Sequence, residues 1–372
     1  MYSDESIYQI GLTMVPGVGD VAAKILLSYR GSAKDVFSCP SGKLKKIPGI
    51  GEVTVSAIKS FKDFQNAEKI IEDCEKHNTD ILVYTDEKYP KRLKQCADAP
   101  IVLYYKGDAD LNQQKVLAIV GTRQATSYGK DFLNDFIEQL KPYNPLIVSG
   151  LAYGIDIIAH QESLRNGLPT LAVLGSGMDV IYPSSHKPVV QKMLESNGGV
   201  LTEQPLHTAP DAKNFPARNR IIAGMSDAVV VVEAAEKGGA LITAELANSY
   251  DREVFALPGN IGNLYSKGCN KLIRNHKAQI LTSAKDLEYA LNWENDKSNT
   301  INNSSSKNFD FDALNSEESK IVETILNNEN QILLDELSWK SQIPIGQMAS
   351  SLLNLELKGI VKALPGKKYK VN

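Results

Sequence analysis

Val116-Leu117-Ala118-Ile119-Val120-Gly121-Thr122-Arg123 is the stretch on which the fold turns. Five consecutive apolar residues, β-branched at three positions, suit a strand covered on both faces, as in a parallel sheet. A small polar turn follows, and a helix is predicted from about Gly129. The same unit recurs outward along the chain. Candidate strands are Ile81 to Tyr84, Val102 to Tyr105, Leu146 to Val148, Leu171 to Leu174, Ala228 to Val232 and Val254 to Leu257, with helical stretches between them. Strand and helix in alternation predict a doubly wound α/β domain.

The flanks read differently. Residues 1–75 are short helical segments broken by two similar turns, Val15-Pro16-Gly17-Val18-Gly19 and Ile47-Pro48-Gly49-Ile50-Gly51. Two copies point to a tandem helix-hairpin-helix unit, whose glycines turn the backbone tightly and aim N–H groups outward at a phosphate. A plain turn between packed helices, or an interaction module, is the alternative. Residues 293–310 are rich in Asn, Ser and charge and read as a linker. Beyond it, helices are predicted at Glu317 to Leu326, Leu333 to Leu337 and Gly346 to Leu357, then a hairpin around Pro365-Gly366. That is the outline of a winged helix.

The chain has 372 residues, too many for one core, and 41 Lys+Arg against 44 Asp+Glu give a net charge of -3. This balance excludes binding of polyanions by bulk charge but allows a local basic groove. The start, MYSDESIYQIGL, has no basic and apolar leader, and no apolar run is long enough to cross a bilayer, so a cytoplasmic protein is expected. Cys39, Cys74, Cys96 and Cys269 lie far apart and are expected as buried thiols, with neither a disulfide nor a metal site.

Chemistry concentrates at the predicted strand ends. A Gly121-Thr122 turn before a helix offers N–H groups and a hydroxyl to an anion, and Arg123 can add a bidentate phosphate contact or make a structural ion pair. Ser149-Gly150 ends a second strand, and Leu174-Gly175-Ser176-Gly177 a third. The latter begins like GxGxxG, but Val180 stands at the third glycine, which excludes a dinucleotide site of that type; GxxxxGK[ST] is absent too, and no cofactor is expected. The densest cationic patch is Lys213-Asn214-Phe215-Pro216-Ala217-Arg218-Asn219-Arg220, where cations suit phosphates and a ring suits a base. Phe215 as core is the bland alternative. Gly238-Gly239, Leu257-Pro258-Gly259-Asn260 and Lys267-Gly268 add further loops, and one phosphate groove along the sheet edge would unite them. His160, Asp156, Glu203, Glu233 and Glu245 could serve as acid or base, with Glu233 and Glu245 best placed, but no catalytic spacing is assembled.

Together these residues resemble the DNA-processing protein A (DprA, or Smf) family. The marks are Tyr89-Pro90 with Leu93, Val120-Gly121-Thr122-Arg123, Ser149-Gly150-Leu151-Ala152 with Gly154-Ile155-Asp156, Leu174-Gly175-Ser176-Gly177 with Tyr182-Pro183, Phe215-Pro216 with Arg218 to Gly224, and Leu257 to Asn260. The resemblance implies a helix-hairpin-helix or SAM-like domain (1–75), an extended Rossmann core (76–292), the linker (293–310) and a winged helix (311–372). It also implies a non-enzymatic protein that binds single-stranded DNA taken up in natural transformation, protects it and loads a RecA-type recombinase for recombination. A homodimer through the Rossmann core is implied as well. By position, the DNA contacts would be Gly121, Thr122, Arg123, Ser149, Gly150, Lys187, Lys213, Phe215, Arg218, Asn219, Arg220 and Lys267. His276 departs from the pattern, where a glycine is expected.

Two rivals are carried forward. The core also looks distantly like nucleotide phosphoribohydrolases, whose PGGxGTxxE motif is echoed by Gly238-Gly239-Ala240-Leu241-Ile242-Thr243-Ala244-Glu245 with longer spacing and Lys237 in place of proline. The other is a duplex-DNA regulator acting through the winged helix.

Overall fold

The computed structural model describes residues 4–293, 314–328, 330–364 and 366–371; most of the expected linker lies outside them. The chain divides into two compact units, Met1–Thr282 and Ser283–Asn372.

The first unit opens with helices α1 (Asp4–Met14), α2 (Asp20–Arg30), α3 (Ala33–Ser38), α4 (Ser41–Leu44), α5 (Glu52–Ser60) and α6 (Phe64–Lys76). The two sequence turns are also copies in conformation. Gly17 and Gly49 have φ of 79° and 81°, which a side chain would oppose. The N–H groups of Val18 and Ile50 close the turns on the carbonyls of Val15 and Ile47, both at 3.1 Å.

The sheet then runs through β1 (Asp80–Val83), β2 (Val102–Gly107), β3 (Val116–Val120), β4 (Leu146–Ser149), β5 (Thr170–Val173), β6 (Gly199–Thr202), β7 (Ala228–Val231), β8 (Glu253–Ala256) and β9 (Gln279–Ile280). Its spatial order is β1-β2-β6-β5-β4-β3-β7-β8-β9. β1 and β2 are antiparallel additions; from β6 to β9 all pairings are parallel. The helices of this part are α7 (Lys91–Lys94), α8 (Ser127–Gln139), α9 (Ile155–Arg165), α10 (Lys187–Leu194), α11 (Asn214–Met225), α12 (Gly239–Ser249) and α13 (Lys267–Arg274). Every residue of β3, β4, β5 and β7 is buried, the reason these strands read as unbroken apolar runs.

Two apolar clusters flank the sheet. One gathers Val116, Ala118, Val148, Val229 and Ala244 with Leu93 and Ile221. The other joins Leu26, Val55 and Ile58 of the N-terminal helices to Val102, Leu174 and Met193 of the sheet region. The helical segment and the sheet thus share one core, and the expected boundary near residue 75 lies within one unit.

The second unit begins with α14 (Ala284–Leu291) and continues with α15 (Ser316–Leu326), β10 (Ile332–Leu333), α16 (Leu334–Ser341), α17 (Ile345–Leu357), β11 (Val361–Leu364) and β12 (Lys368–Val371). The last three strands form a sheet in the order β10-β12-β11. Ile321, Ile325, Leu337, Met348, Leu352 and Leu355 supply its core. Three helices and a β-hairpin make the winged helix that the sequence outlined.

Three strands escaped the sequence reading: β6, β9 and the two-residue β10 beside the wing hairpin. β6 opens on Gly199, preceded by Gly198; a Cβ at Gly199 would lie 2.8 Å from the Tyr105 ring on β2, and one at Gly198 2.6 Å from the Met193 carbonyl. The glycines are there for close packing. β9 is two exposed residues with no apolar pattern to reveal it.

Candidate nucleic-acid interface

Strand order reverses between β3 and β7: the chain moves from β3 outward to β4, β5 and β6, then returns to place β7 on the other side of β3. Ligand crevices of open α/β sheets form at such a switch point, beyond the carboxyl ends of the strands. Here it holds a groove of about 1370 Å³ between the turn after β3, the start of α11 and the Ala234–Gly239 loop leading into α12.

The turn after β3 is built by close backbone approach. A Cβ on Gly121 would lie 2.5 Å from Ile155 Cγ1, and one on Gly154 2.2 Å from the Thr122 carbonyl oxygen. The Ile155 N–H donates to that carbonyl at 3.1 Å, and the Thr122 N–H donates to the Glu233 carbonyl at 2.7 Å. Arg123 is thereby held at the mouth, exposed, with its guanidinium 6.0 Å from the centroid of the Phe215 ring. Tyr182, about half exposed, stands 5.7 Å from the same ring. A cation and two partly open rings on one crevice wall can take a phosphate and a base together.

Glu233 is buried, and its carboxylate accepts from the Thr126 N–H at 2.9 Å and the Thr126 hydroxyl at 2.6 Å. It therefore occupies the N-terminus of α8, where Rossmann enzymes seat a pyrophosphate. Glu245 lies at the surface and pairs with Lys277 at 2.7 Å. Both carboxylates singled out as acid/base candidates are thus engaged. His160 is buried with Nδ1 2.7 Å from the Thr170 hydroxyl, and burial pushes it down to about 3, so it stays neutral.

Five of the expected contacts are engaged within the protein, and of these Arg218 and Asn219 still line the groove. The Ser149 hydroxyl is buried and donates to the Ile119 carbonyl at 2.6 Å, inside the sheet rather than on the groove. Gly150 is buried beneath Arg218 and Asp156, within 2.6 Å of a Cβ placed on it. Arg218 is only 5% exposed on the groove floor; its guanidinium donates to the carbonyls of Gly150, at 2.7 Å, and Val173. Burial lowers it to about 10, with nearby Asp156 opposing the shift, so it remains charged and clamps two strand ends. Asn219, buried, accepts from Arg218 Nε at 3.2 Å and donates to the Gly239 carbonyl at 3.4 Å, holding the start of α12. Arg220 Nη2 donates to Asp20 of α2 at 2.9 Å and to Glu203. Residues two apart on a helix point to nearly opposite sides, so 218 and 220 cannot share one face.

Gly121, Thr122, Arg123 and Phe215 are brought together on the groove. Lys187 and Lys267 are exposed at the first positions of α10 and α13, and exposed Lys213 caps α11 with its N–H on Asp211 at 2.8 Å; none of the three lines the groove. Tyr182 and exposed Lys237 do line it and were not among the expected contacts. The Tyr182-Pro183 pair was the available signal for the first, and the glycines after Lys237 for the second.

The four cysteines are buried and free, as expected. Among the described residues there is no cluster able to hold a metal and no helix long and apolar enough to cross a membrane.

The description "DNA recombination-mediator protein A" matches residues 80–292, and "DprA winged helix domain" matches residues 312–367. The chain belongs to the DNA processing protein A family. Protein Smf of Synechocystis is 32% identical over 99% of both chains, and DNA processing protein DprA of Streptococcus pneumoniae is 43% identical over 54% of this chain and 71% of that one. The DprA crystal structure from Streptococcus pneumoniae superposes with a TM-score of 0.66 at 33% identity, covering 77% of this chain and 98% of that chain. A Helicobacter pylori DprA structure, described for its single-stranded DNA binding mode, gives 0.53 at 30% identity over 58% and 97%. DprA membership explains the order of the motifs along the chain, and the fold agrees in core and winged helix.

Proposed function

We propose that this chain is a single-stranded DNA-binding mediator that protects DNA taken up in natural transformation and loads a RecA-type recombinase onto it. The observation that carries the reading is Arg123 beside the Phe215 ring at the switch-point groove. The Arg123 cation would neutralise a phosphate, while Phe215 and Tyr182 offer π-faces to any base, so binding tracks the backbone without reading sequence. The Helicobacter pylori relative's single-strand binding supports the same use of the fold. Exposed Lys237 adds a second cation to the groove lining, and Lys213, Lys187 and Lys267 are exposed outside it. The protein acts without a cofactor, in the cytoplasm, as a homodimer through the Rossmann core, where β9 leaves Ile280 half exposed at the sheet edge.

The test is binding of single-stranded and duplex oligonucleotides by the full chain across a salt series. Single strands should bind tighter, with affinity falling steeply as salt rises. Phe215→Ala should weaken binding by about 1–3 kcal/mol per stacked base. Salt-independent binding, or equal affinity for both forms in wild type and variant, would overturn the reading.

A further inference from the structure

Glu233, just past β7, takes hold of the turn after β3 at both ends. Its carbonyl accepts from the Thr122 N–H at 2.7 Å, and its carboxylate accepts from the Thr126 N–H at 2.9 Å and the Thr126 hydroxyl at 2.6 Å. Between these anchors lie exposed Arg123 and Gln124, with the Gln124 N–H on the Thr122 hydroxyl at 3.2 Å. The acid is itself fixed. Glu233 is only 3% exposed, and Gly129 in the first turn of α8 leaves the room that it fills: a Cβ at 129 would lie 2.4 Å from Glu233 Oε2, and its three nearest atoms all belong to that side chain. Glycine weakens a helix relative to alanine, so its place in α8 calls for a reason, and the carboxylate supplies one. Thr126, at the N-cap of α8, makes no side-chain cap and gives its hydroxyl to Glu233 instead. The partial positive charge at the start of α8 attracts the carboxylate there.

We propose that Glu233 is a positioning residue for strand binding: it touches no DNA, and it holds the turn 122–126 in the form that sets the Arg123 guanidinium beside the Phe215 ring. A buried acid thereby serves a site for a polyanion. Charge alone predicts the opposite contribution, since an anion close to the groove repels phosphates. The gain is in order. A turn that is loose in the free protein has to be fixed when the strand binds, and that loss of freedom is taken out of the affinity. Glu233 fixes the turn beforehand, from both ends. The inference rests on the groove reading, because Arg123 has to meet a phosphate for its placement to matter.

The test is a double-mutant cycle on the full chain, with single-strand binding measured by fluorescence titration for wild type, Glu233→Ala, Arg123→Ala and the double variant. Glu233→Ala should bind several-fold more weakly, although it removes a negative charge. In the Arg123→Ala background the same change should have no further effect, because the turn then carries no cation to place. Formate, small enough for the hollow left by the side chain, should restore binding by Glu233→Ala when exchanged for chloride at constant ionic strength, and should leave the double variant as it was. Gly129→Ala keeps the acid and favours the helix but displaces the carboxylate, so it should weaken binding as Glu233→Ala does. With Arg123→Ala still binding weakly, four results would each overturn the inference and leave the groove reading standing: Glu233→Ala binding as tightly as wild type or tighter, losses that multiply in the double variant, no response to formate, or Gly129→Ala binding like wild type. Arg123→Ala binding like wild type would overturn both.

Discussion

Arg220→Met separates the two roles that its position in a cationic patch suggests. In the fold its Nη2 bridges Asp20 and Glu203, whose side chains are 28% and 14% exposed, and so ties α2 to α11. At 2.9 Å, the gross attraction to one carboxylate at an effective dielectric of about 20 is about 6 kcal/mol, much of it offset by desolvation. Removing one member of a buried pair costs about 3–5 kcal/mol, and the partial exposure here sets the expectation at about 3. The loss should also depend on pH. Burial raises both Asp20 and Glu203, while Arg220 pulls them back. Without it both rise further, so over the range where they titrate the folded variant binds more protons than the unfolded chain and its stability falls as pH rises. Urea unfolding should therefore show the full deficit at pH 7.5 and a smaller one at pH 5, with hydrogen exchange accelerated first in α2. A variant of wild-type stability at both pH values that has lost single-strand binding would refute the reasoning and return Arg220 to the DNA path.

Three further outcomes are expected. Arg123→Ala should weaken single-strand binding and flatten the slope of log affinity against log salt by about 0.7, the value of one phosphate contact, as measured by fluorescence titration; an unchanged slope counts against a phosphate on Arg123. His160, held at about 3 against 6.5 unfolded, should cost wild type about 2 kcal/mol on going from pH 7 to pH 5, because only the unfolded chain takes up the proton. His160→Leu should lack that component in urea unfolding, and an identical pH profile would contradict it. His276→Gly should raise the denaturation midpoint by about 1 kcal/mol equivalent, since His276 ends α13 at φ 55°, with its N–H on Ile273 and that of Lys277 on Leu272; a lowered midpoint would show that the imidazole makes a compensating contact.

His276 also shows what the sequence pattern could reveal. A glycine is expected there because the chain must enter the left-handed region to leave the helix, and the departure was visible before its cause. The strands were legible for a similar reason: those covered on both faces have no polar side, so β3 and β7 stand out as apolar runs. The groove was half legible. Gly121 and Arg123 follow a buried strand, and that order alone places them at its carboxyl end. Arg218 and Arg220 looked equivalent because charge and spacing carry no direction, whereas the turn of α11 sends one beneath Gly150 and the other toward Asp20.

Local order along the chain was therefore enough for the architecture: alternating strands and helices, a repeated PGxG turn, and a winged helix after a polar linker. It was enough too for the turn that holds Arg123, whose geometry depends on its own glycines and the strand before it. Tertiary structure alone decided which cations remain open. A charge stays free only if no buried carbonyl or carboxylate meets it, and those partners come from residues as distant as Asp20 and Val173. The sharing of one core by the N-terminal helices and the sheet was decided in the same way, because burial is a property of surfaces that meet only in the folded chain.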